Sequence, residues 1–407
     1  MKETTYAVVD LETTGHSPEK GDRMIQIAIV FVKNKKIVDR YSTFVQPEQP
    51  IPPFISELTS ITDEDVKDAP TFDAIAKEVA QQLEGTTFVA HNTQFDLSFL
   101  HYEWERCGVE PWKGETIDTV ELSKIAFPSA YSYRLQDLAS QLQLPLQRAH
   151  RADDDAEATA HLLMRCYEKL LYLPTATLQQ LHRRSFTLQS NVSTLFYHLL
   201  KGKRPNPVPY DVYQGIPYKK RDKKEVTNRS TLHFPATHQE KMEILQRAHP
   251  SFVRREPQLN FMDTVWASLT KGEEVVAEVP TGVGKSLGYL YPAAVYSIWK
   301  NTSVVISTYT NHLVDQLVER EIPKVEKMVG QPLRIAILKG RNHYFSFERF
   351  LRLLETTDHS YDETLAIMQV FVWLMETDVG DLEELNVSGG GHLIIDRLRK
   401  SEAVESD

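Results

Sequence analysis

Three runs near the start of the chain carry a strand pattern. Tyr6–Leu11, Met24–Lys33 and Lys36–Val45 are rich in Val, Ile and Tyr and predict three successive strands. Apolar residues then recur at helical spacing from Phe72 to Leu83, and the run Thr87–His91 predicts a short strand. Asp96–Arg106 and Ala152–Leu171 predict helices. Strands first, with helices interleaved afterwards, predict a mixed sheet covered by helices for residues 1–170.

The pattern changes over residues 171–230. Leu173-Pro174, the run Lys201–Pro207 and the run Lys219–Lys224 mark a basic, proline-punctuated connection. It reads as a solvated linker, with a phosphate-guiding patch as the alternative. Residues 231–340 alternate again. Glu274–Val279, Thr302–Thr308 and Leu333–Leu338 predict strands, while Lys285–Trp299 and Thr310–Arg320 predict helices. That alternation predicts a parallel sheet, so both blocks are of the α/β class. Residues 341–407 read as mostly helical, ending in the polar tail Ser401–Asp407. No internal repeat is present.

Composition narrows the class. Of 407 residues, 41% are hydrophobic and 25% charged, which fits a globular chain of two or three domains and excludes a collagen-like or disordered one. The net charge of −10 argues against a basic nucleic-acid coat protein and leaves room for an acidic site that holds cations. Two cysteines, Cys107 and Cys166, cannot supply a disulfide framework or a cysteine-only metal site. The start of the chain has no signal-like apolar region, and no run reaches about 18 uninterrupted apolar residues. A cytoplasmic protein without a membrane partner is expected.

The chemistry lies in scattered acids. Asp10 and Glu12 are two apart at the end of an apolar strand, so their side chains share one side. Adjacent carboxylates repel, and a divalent cation is the simplest compensation; a strand end with its acids in water is the plainer alternative. Asp96 follows in His91-Asn92-Thr93-Gln94-Phe95-Asp96, and Asp155 in His150-Arg151-Ala152-Asp153-Asp154-Asp155-Ala156. Each alone reads as a helix-start acid. Together the segments resemble the DEDDh family of 3′–5′ exonucleases, whose pattern is Asp-x-Glu, His-Asn-x-x-Phe-Asp and His-x-Ala-x-x-Asp-Ala, over about residues 5–170. The resemblance implies a ribonuclease H-like mixed-sheet domain with two Mg²⁺ or Mn²⁺ ions about 4 Å apart holding the scissile phosphate. It implies that Asp10, Glu12 and Asp155 bind one ion, that Asp10 bridges to the second, and that Asp96 supports the second. His150 is implied as the base that takes the proton of the attacking water. The sister subclass has tyrosine four residues before the last Asp; here Arg151 stands there, so the histidine subclass matches better. Thr13 and Thr14 are implied contacts to the terminal nucleotide, with turn chemistry before Gly15 as the alternative.

A second motif follows. Glu278–Ser286 ends in Gly284-Lys285-Ser286 between a predicted strand and a predicted helix, the signature of a phosphate loop. Thr281, Gly282, Val283, Gly284, Lys285 and Ser286 are the candidate ATP-binding residues, with Lys285 on the β and γ phosphates and Ser286 on Mg²⁺. Val279 replaces the first glycine of the general pattern. With Arg255–Gln258, Val304–Thr310 and Lys339–Tyr344, the loop resembles the DinG helicases, relatives of the XPD family. That resemblance implies a RecA-like P-loop domain over 231–340, followed at 341 by the start of a helicase insertion domain. It places Ser307, Thr308 and Thr310 near single-stranded DNA, though Thr308 and Thr310 also suit a helix cap. Two departures count. Iron–sulfur members have a cysteine where Ser346 stands and no cysteine follows Cys166, so no iron–sulfur cluster is expected. No Asp-Glu-x-His box occurs: His392–Asp396 is followed by Arg397 where Glu is required. The expectation is the front part of a longer exonuclease–helicase that does not unwind as it stands.

The sequence thus predicts a metal-dependent 3′–5′ exonuclease on single-stranded DNA ends with an appended ATP-binding region. An exoribonuclease acting on RNA, or a nucleic-acid-binding, ATP-sensing module, are the alternatives. Gln141–Leu146 has a weak likeness to a sliding-clamp binding peptide and reads more simply as a helix end turning at Pro145. His161, His182 and His198 read as packing or surface residues, and Trp266, Trp299 and Trp373 as core.

Overall fold

The structure, a computed structural model, describes residues 4–146, 148–202, 205–221, 232–248, 252–356 and 358–399. The chain divides into two compact units: residues 1–221 together with 341–407, and residues 222–340. The basic run 222–224 and the tail 401–407 lie outside the described residues.

The first unit is built on a five-stranded mixed sheet in the order β3-β2-β1-β4-β5. Its strands are β1 (Tyr6–Thr13), β2 (Met24–Lys33), β3 (Lys36–Phe44), β4 (Thr87–Ala90) and β5 (Thr116–Asp118). β1 to β3 form an antiparallel meander, while β4 and β5 run parallel to β1. After β3 come short helices α1 (Pro53–Thr59) and α2 (Asp63–Val66), then α3 (Phe72–Leu83) and α4 (Thr93–Arg106). Helices α5 (Thr119–Ala126), α6 (Leu135–Leu142) and α7 (Ala152–Leu171) follow β5.

Alternation along β1 decides which way the acids face. Ala7, Val9 and Leu11 pack with Phe72, Val79, Phe99 and Trp104 of α3 and α4. Tyr6 and Val8 pack with Ala152, Ala156, Ala160 and Leu163 of α7. By the two-residue period of a strand, Asp10 and Glu12 continue the face that meets α7.

Residues 171–221, expected as a linker, are folded. They form α8 (Thr175–Arg184), α9 (Val192–Lys201) and a hairpin of β6 (Tyr210–Tyr213) and β7 (Ile216–Lys219). The reason is the helical spacing of Val192, Leu195, Phe196 and Leu199, all of them buried.

The second unit contains α10 (His238–Ala248), α11 (Glu256–Lys271), α12 (Lys285–Lys300), α13 (Asn311–Gln316) and α14 (Ile322–Val329). A five-residue π-helical turn, Leu317–Glu321, joins α13 to α14. Leu259, Met262, Leu290, Tyr291, Val295, Val325 and Met328 form its core. The parallel sheet expected here is not formed: among the described residues of this unit, no strand is present. Glu274–Val279, Thr302–Thr308 and Leu333–Leu338 carry strand-like side chains, but a strand exists only through a ladder, and neither sheet among the described residues includes these segments. Leu333 packs against the core, but Val276 and Val305 are 102% and 89% exposed.

The chain then returns to the first unit with α15 (Phe347–Glu355), α16 (Tyr361–Trp373) and α17 (Gly391–Leu398). Every residue of α16 from Thr364 to Trp373 is buried, the behaviour of a helix that is apolar all round. Among the described residues, no helix is long and apolar enough to cross a membrane.

Candidate active site

Asp10 and Glu12 sit at the end of β1, facing the first turn of α7, which carries Asp155. Ligand oxygens of these three residues lie within 4.8 Å of one another. Asp96, buried in the first turn of α4, accepts the backbone N–H of Leu11 and its own, which brings a fourth carboxylate to the same strand end. Burial and mutual repulsion favour protons here. Desolvation, then Asp96, Asp155 and Glu12, hold the Asp10 carboxyl well above the ordinary carboxylate range. Desolvation and Asp155 push Glu12 up to about 8, against a smaller lowering by Arg151. Asp155 rises to about 6, chiefly by burial, and Asp96 is raised mainly by burial. Asp155 Oδ2 accepts the His150 backbone N–H at 3.0 Å, while its buried Oδ1 has no hydrogen-bond partner. Four oxygen-donor side chains with one orphaned buried oxygen fit a hard divalent cation such as Mg²⁺ or Mn²⁺.

Two helix starts deliver these acids. The first turn of α7 is pinned by Gln26 of β2, which faces Glu12 across the ladder. Its Oε1 accepts the Ala152 N–H at 3.1 Å and its Nε2 donates to Asp153 at 3.3 Å. Arg148 draws Asp153 and Asp154 aside at 3.0 Å each, leaving Asp155 to face β1. The first turn of α4 is pinned by Asp118, which accepts the N–H groups of Asn92 and Thr93 at 3.3 and 3.1 Å while capping α5 through Val120 at 2.8 Å. His91 is locked by Thr119 Oγ1 and the Tyr133 carbonyl, each at 2.9 Å, and burial lowers its pKa.

His150 is in the left-handed region, at φ 62°. Its backbone touches Asp155, but its ring is turned to Gln136, whose amide Nε2 donates to His150 Nε2 at 3.0 Å. Thr13 and Thr14 are buried and committed to the turn. Thr13 Oγ1 donates to the Gly15 carbonyl at 2.6 Å, and Thr14 Oγ1 accepts from Arg23 N and Gln49 Nε2. Gln26, Asp118, Tyr133 and Gln136 escape the motif reading. Gln26 alone had a signal, as the one polar side chain inside Met24–Val32.

In the second unit, Gly282 and Gly284 take positive φ (82° and 92°), and Gly284 caps a sixteen-residue α12 that opens on Lys285 and Ser286. Thr281, Gly282 and Lys285 are exposed, and Val283, Gly284 and Ser286 half-buried. A long helix N-terminus with free N–H groups suits phosphate. Arg255 donates to the Gly282 carbonyl and Gln258 to that of Gly284, at 2.8 Å for the latter. Ser307 is exposed. Thr308 donates to the Thr310 carbonyl, and Thr310 caps α13 by accepting from Leu313 N at 3.2 Å. His392–Asp396 lies on α17 and not at a strand end, so it cannot serve as a water-polarising box.

A model of the RNase_T exonuclease family matches residues 7–163. The 3′-5′ exonuclease DinG of Bacillus subtilis (strain 168) is 37% identical over 403 residues, 98% of this chain and 43% of that protein. The protein of the same name from Staphylococcus haemolyticus (strain JCSC1435) is 34% identical over 98% of this chain and 44% of its own length. The chain therefore spans less than half the length of these relatives. Among solved structures, Exonuclease X in complex with 5′ overhanging duplex DNA is 29% identical, covering 40% of this chain and 91% of that one, with a TM-score of 0.32. The nuclease domain of 3′hExo, a DEDDh family member bound to rAMP, is 20% identical, covering 41% and 94%, with a TM-score of 0.37. Residues 7–163 thus match the RNase_T exonuclease family, in a chain similar along nearly its whole length to the DinG exonucleases.

Proposed function

We propose that the chain is a metal-dependent 3′–5′ exonuclease acting on single-stranded DNA ends, with an ATP-binding second unit. The observation that carries it is the convergence of Asp10, Glu12 and Asp155 within 4.8 Å, with the buried Asp155 Oδ1 left unpartnered. In this reading Asp10, Glu12, Asp96 and Asp155 hold two Mg²⁺ or Mn²⁺ ions. Bound there, the ions supply Lewis acidity that lowers the pKa of water and offsets charge on the scissile phosphate. His150 takes the proton of the attacking water after its ring leaves Gln136. Thr13 and Thr14 shape the strand-end turn and offer backbone, not hydroxyl, to the terminal nucleotide.

In the second unit the loop Thr281–Ser286 binds the phosphates of ATP, Lys285 carries the charge, and Ser286 reaches Mg²⁺. Ser307, Thr308 and Thr310 lie along single-stranded DNA. Among the described residues of this unit no acid follows a strand to polarise water, which keeps the ATP-sensing module as the second reading for residues 222–340.

Digestion of 5′-labelled single-stranded DNA with Mg²⁺ or Mn²⁺, with and without ATP, tests the proposal. A ladder shortening from the 3′ end should appear, and Asp10→Ala with Glu12→Ala, or His150→Ala alone, should abolish it. Survival of digestion in the Asp10→Ala/Glu12→Ala variant would refute the site. A ladder on RNA but not DNA would move the substrate to RNA.

A further inference from the structure

The exonuclease family match stops at residue 163, yet residues 341–398 share one apolar core with the exonuclease unit. Leu365, Met368 and Val372 of α16 belong to the same cluster as Leu122, Ile125 and Ala126 of α5. Besides contacts to Glu121, Lys124 and Lys169, several hydrogen bonds converge on one loop, Phe127–Tyr133, between α5 and α6. Asn386 Nδ2 donates to the Ala130 carbonyl at 2.7 Å, and Asn386 N donates to the Pro128 carbonyl at 2.9 Å. Tyr133 Oη donates to the carbonyls of Phe127 and Asn386 at 3.0 and 3.3 Å. Gln369 Nε2 donates to the Asn386 carbonyl at 2.9 Å. The far side of this loop reaches the segment that leads into α4: the Tyr133 carbonyl accepts from His91 Nε2 at 2.9 Å. His91 precedes Asn92, the left-handed cap of α4, whose first turn carries Asp96.

We propose that Asn386, acting through the Phe127–Tyr133 loop and His91, is a positioning residue for Asp96, so that residues 341–398 set the metal affinity of the exonuclease site. The inference rests on the reading of the four acids as a metal site. Its physical basis is that Asp96 must be buried against like charges, and the start of α4 stays in place only while its backbone anchors do. Those anchors include Asp118, within the domain, and His91, which is held on one side by Thr119, within the domain, and on the other by the Tyr133 carbonyl, on the loop that residues 341–398 hold. Partners one shell beyond metal ligands commonly change affinity by on the order of 10–100-fold when removed.

The test uses the full chain and Mn²⁺ alone, without substrate. Calorimetry gives the Mn²⁺ affinity, and hydrogen exchange gives the protection of residues 92–97. Asn386→Ala, and separately Gln369→Leu, should weaken Mn²⁺ binding on the order of tenfold and raise exchange in the first turn of α4. Trp373→Phe is the control: it removes the bond from Trp373 Nε1 to Glu384 (2.8 Å) in the same segment without touching the loop. It should lower the melting temperature while leaving affinity and exchange unchanged. The inference is overturned if Asn386→Ala binds Mn²⁺ like the wild type, or if the control shifts affinity equally. Mn²⁺ binding that survives Asp10→Ala would instead refute the site reading itself.

Discussion

A single amide ties β2, the ladder partner of the strand carrying Asp10 and Glu12, to the helix carrying Asp155. Gln26 is 3% exposed and is the one polar side chain within Met24–Val32, and both ends of its amide are used by the first turn of α7. Gln26→Leu leaves the buried Ala152 N–H unpaired, at a cost of about 1–3 kcal/mol. We expect a lower melting temperature and weaker Mn²⁺ binding; thermal melts with unchanged affinity would show that Gln26 is structural only. The carboxylates give a second expectation. Glu12 and Asp155 are raised to about 8 and about 6, so the metal-free folded state holds protons that the unfolded chain releases. Stability from these groups is fully present below the ordinary carboxylate range and is lost progressively above it, up to about 6 for Asp155 and about 8 for Glu12. The metal-free protein should therefore melt at lower temperature as pH climbs through that window. Added Mg²⁺ should restore stability, release protons and bind more tightly as pH rises. A pH-independent Mg²⁺ affinity between 6 and 8 would contradict the raised carboxyls. The acids themselves were legible in the sequence because each motif fixes identity and spacing. The orientation of His150 was not, because the ring's partner, Gln136, lies fourteen residues away on another helix and belongs to no motif.

Elements separate into those that the chain stabilises locally and those that need distant partners. Ala152–Leu171 was legible to the residue because its apolar stripe and acidic first turn are both local features. The three expected strands of residues 231–340 were read from the same kind of local signal. Val276, Val305 and Leu338 remain 102%, 89% and 87% exposed, because strand pairing is set by contacts that local sequence does not encode. The phosphate loop lies between these cases. Its geometry depends on two glycines at positive φ and on the N-terminus of α12, all of them local. A Cβ on Gly284 would be strained at φ 92° and would strike the Gln258 amide, which donates to that residue's own carbonyl. Gly284→Ala should abolish binding of a fluorescent ATP analogue and leave metal-dependent DNA digestion intact. Equal loss of both activities would show that the nucleotide loop is required for cleavage.

For the whole molecule, the division of the chain is not the order of its sequence. Residues 341–398 follow the second unit along the chain but bury their apolar side chains with the first, around Phe350, Phe371 and Trp373. Local pattern could not reveal this, since α16 is buried on all sides and its sequence carries no face that names its neighbours. The consequence is thermodynamic. Ligands that bind only the folded form stabilise by about 2.7 kcal/mol at one hundred times Kd. Calorimetric melting should therefore resolve two transitions, one raised by Mg²⁺ or Mn²⁺ and the other by ATP. Phe371→Ala, a large cavity at a 1% exposed position, should cost about 3–5 kcal/mol. That loss should fall on the metal-sensitive transition, although Phe371 lies more than two hundred residues after Asp155 and beyond the phosphate loop. A loss on the ATP-sensitive transition would instead assign α16 to the second unit and remove the route by which Asn386 reaches Asp96.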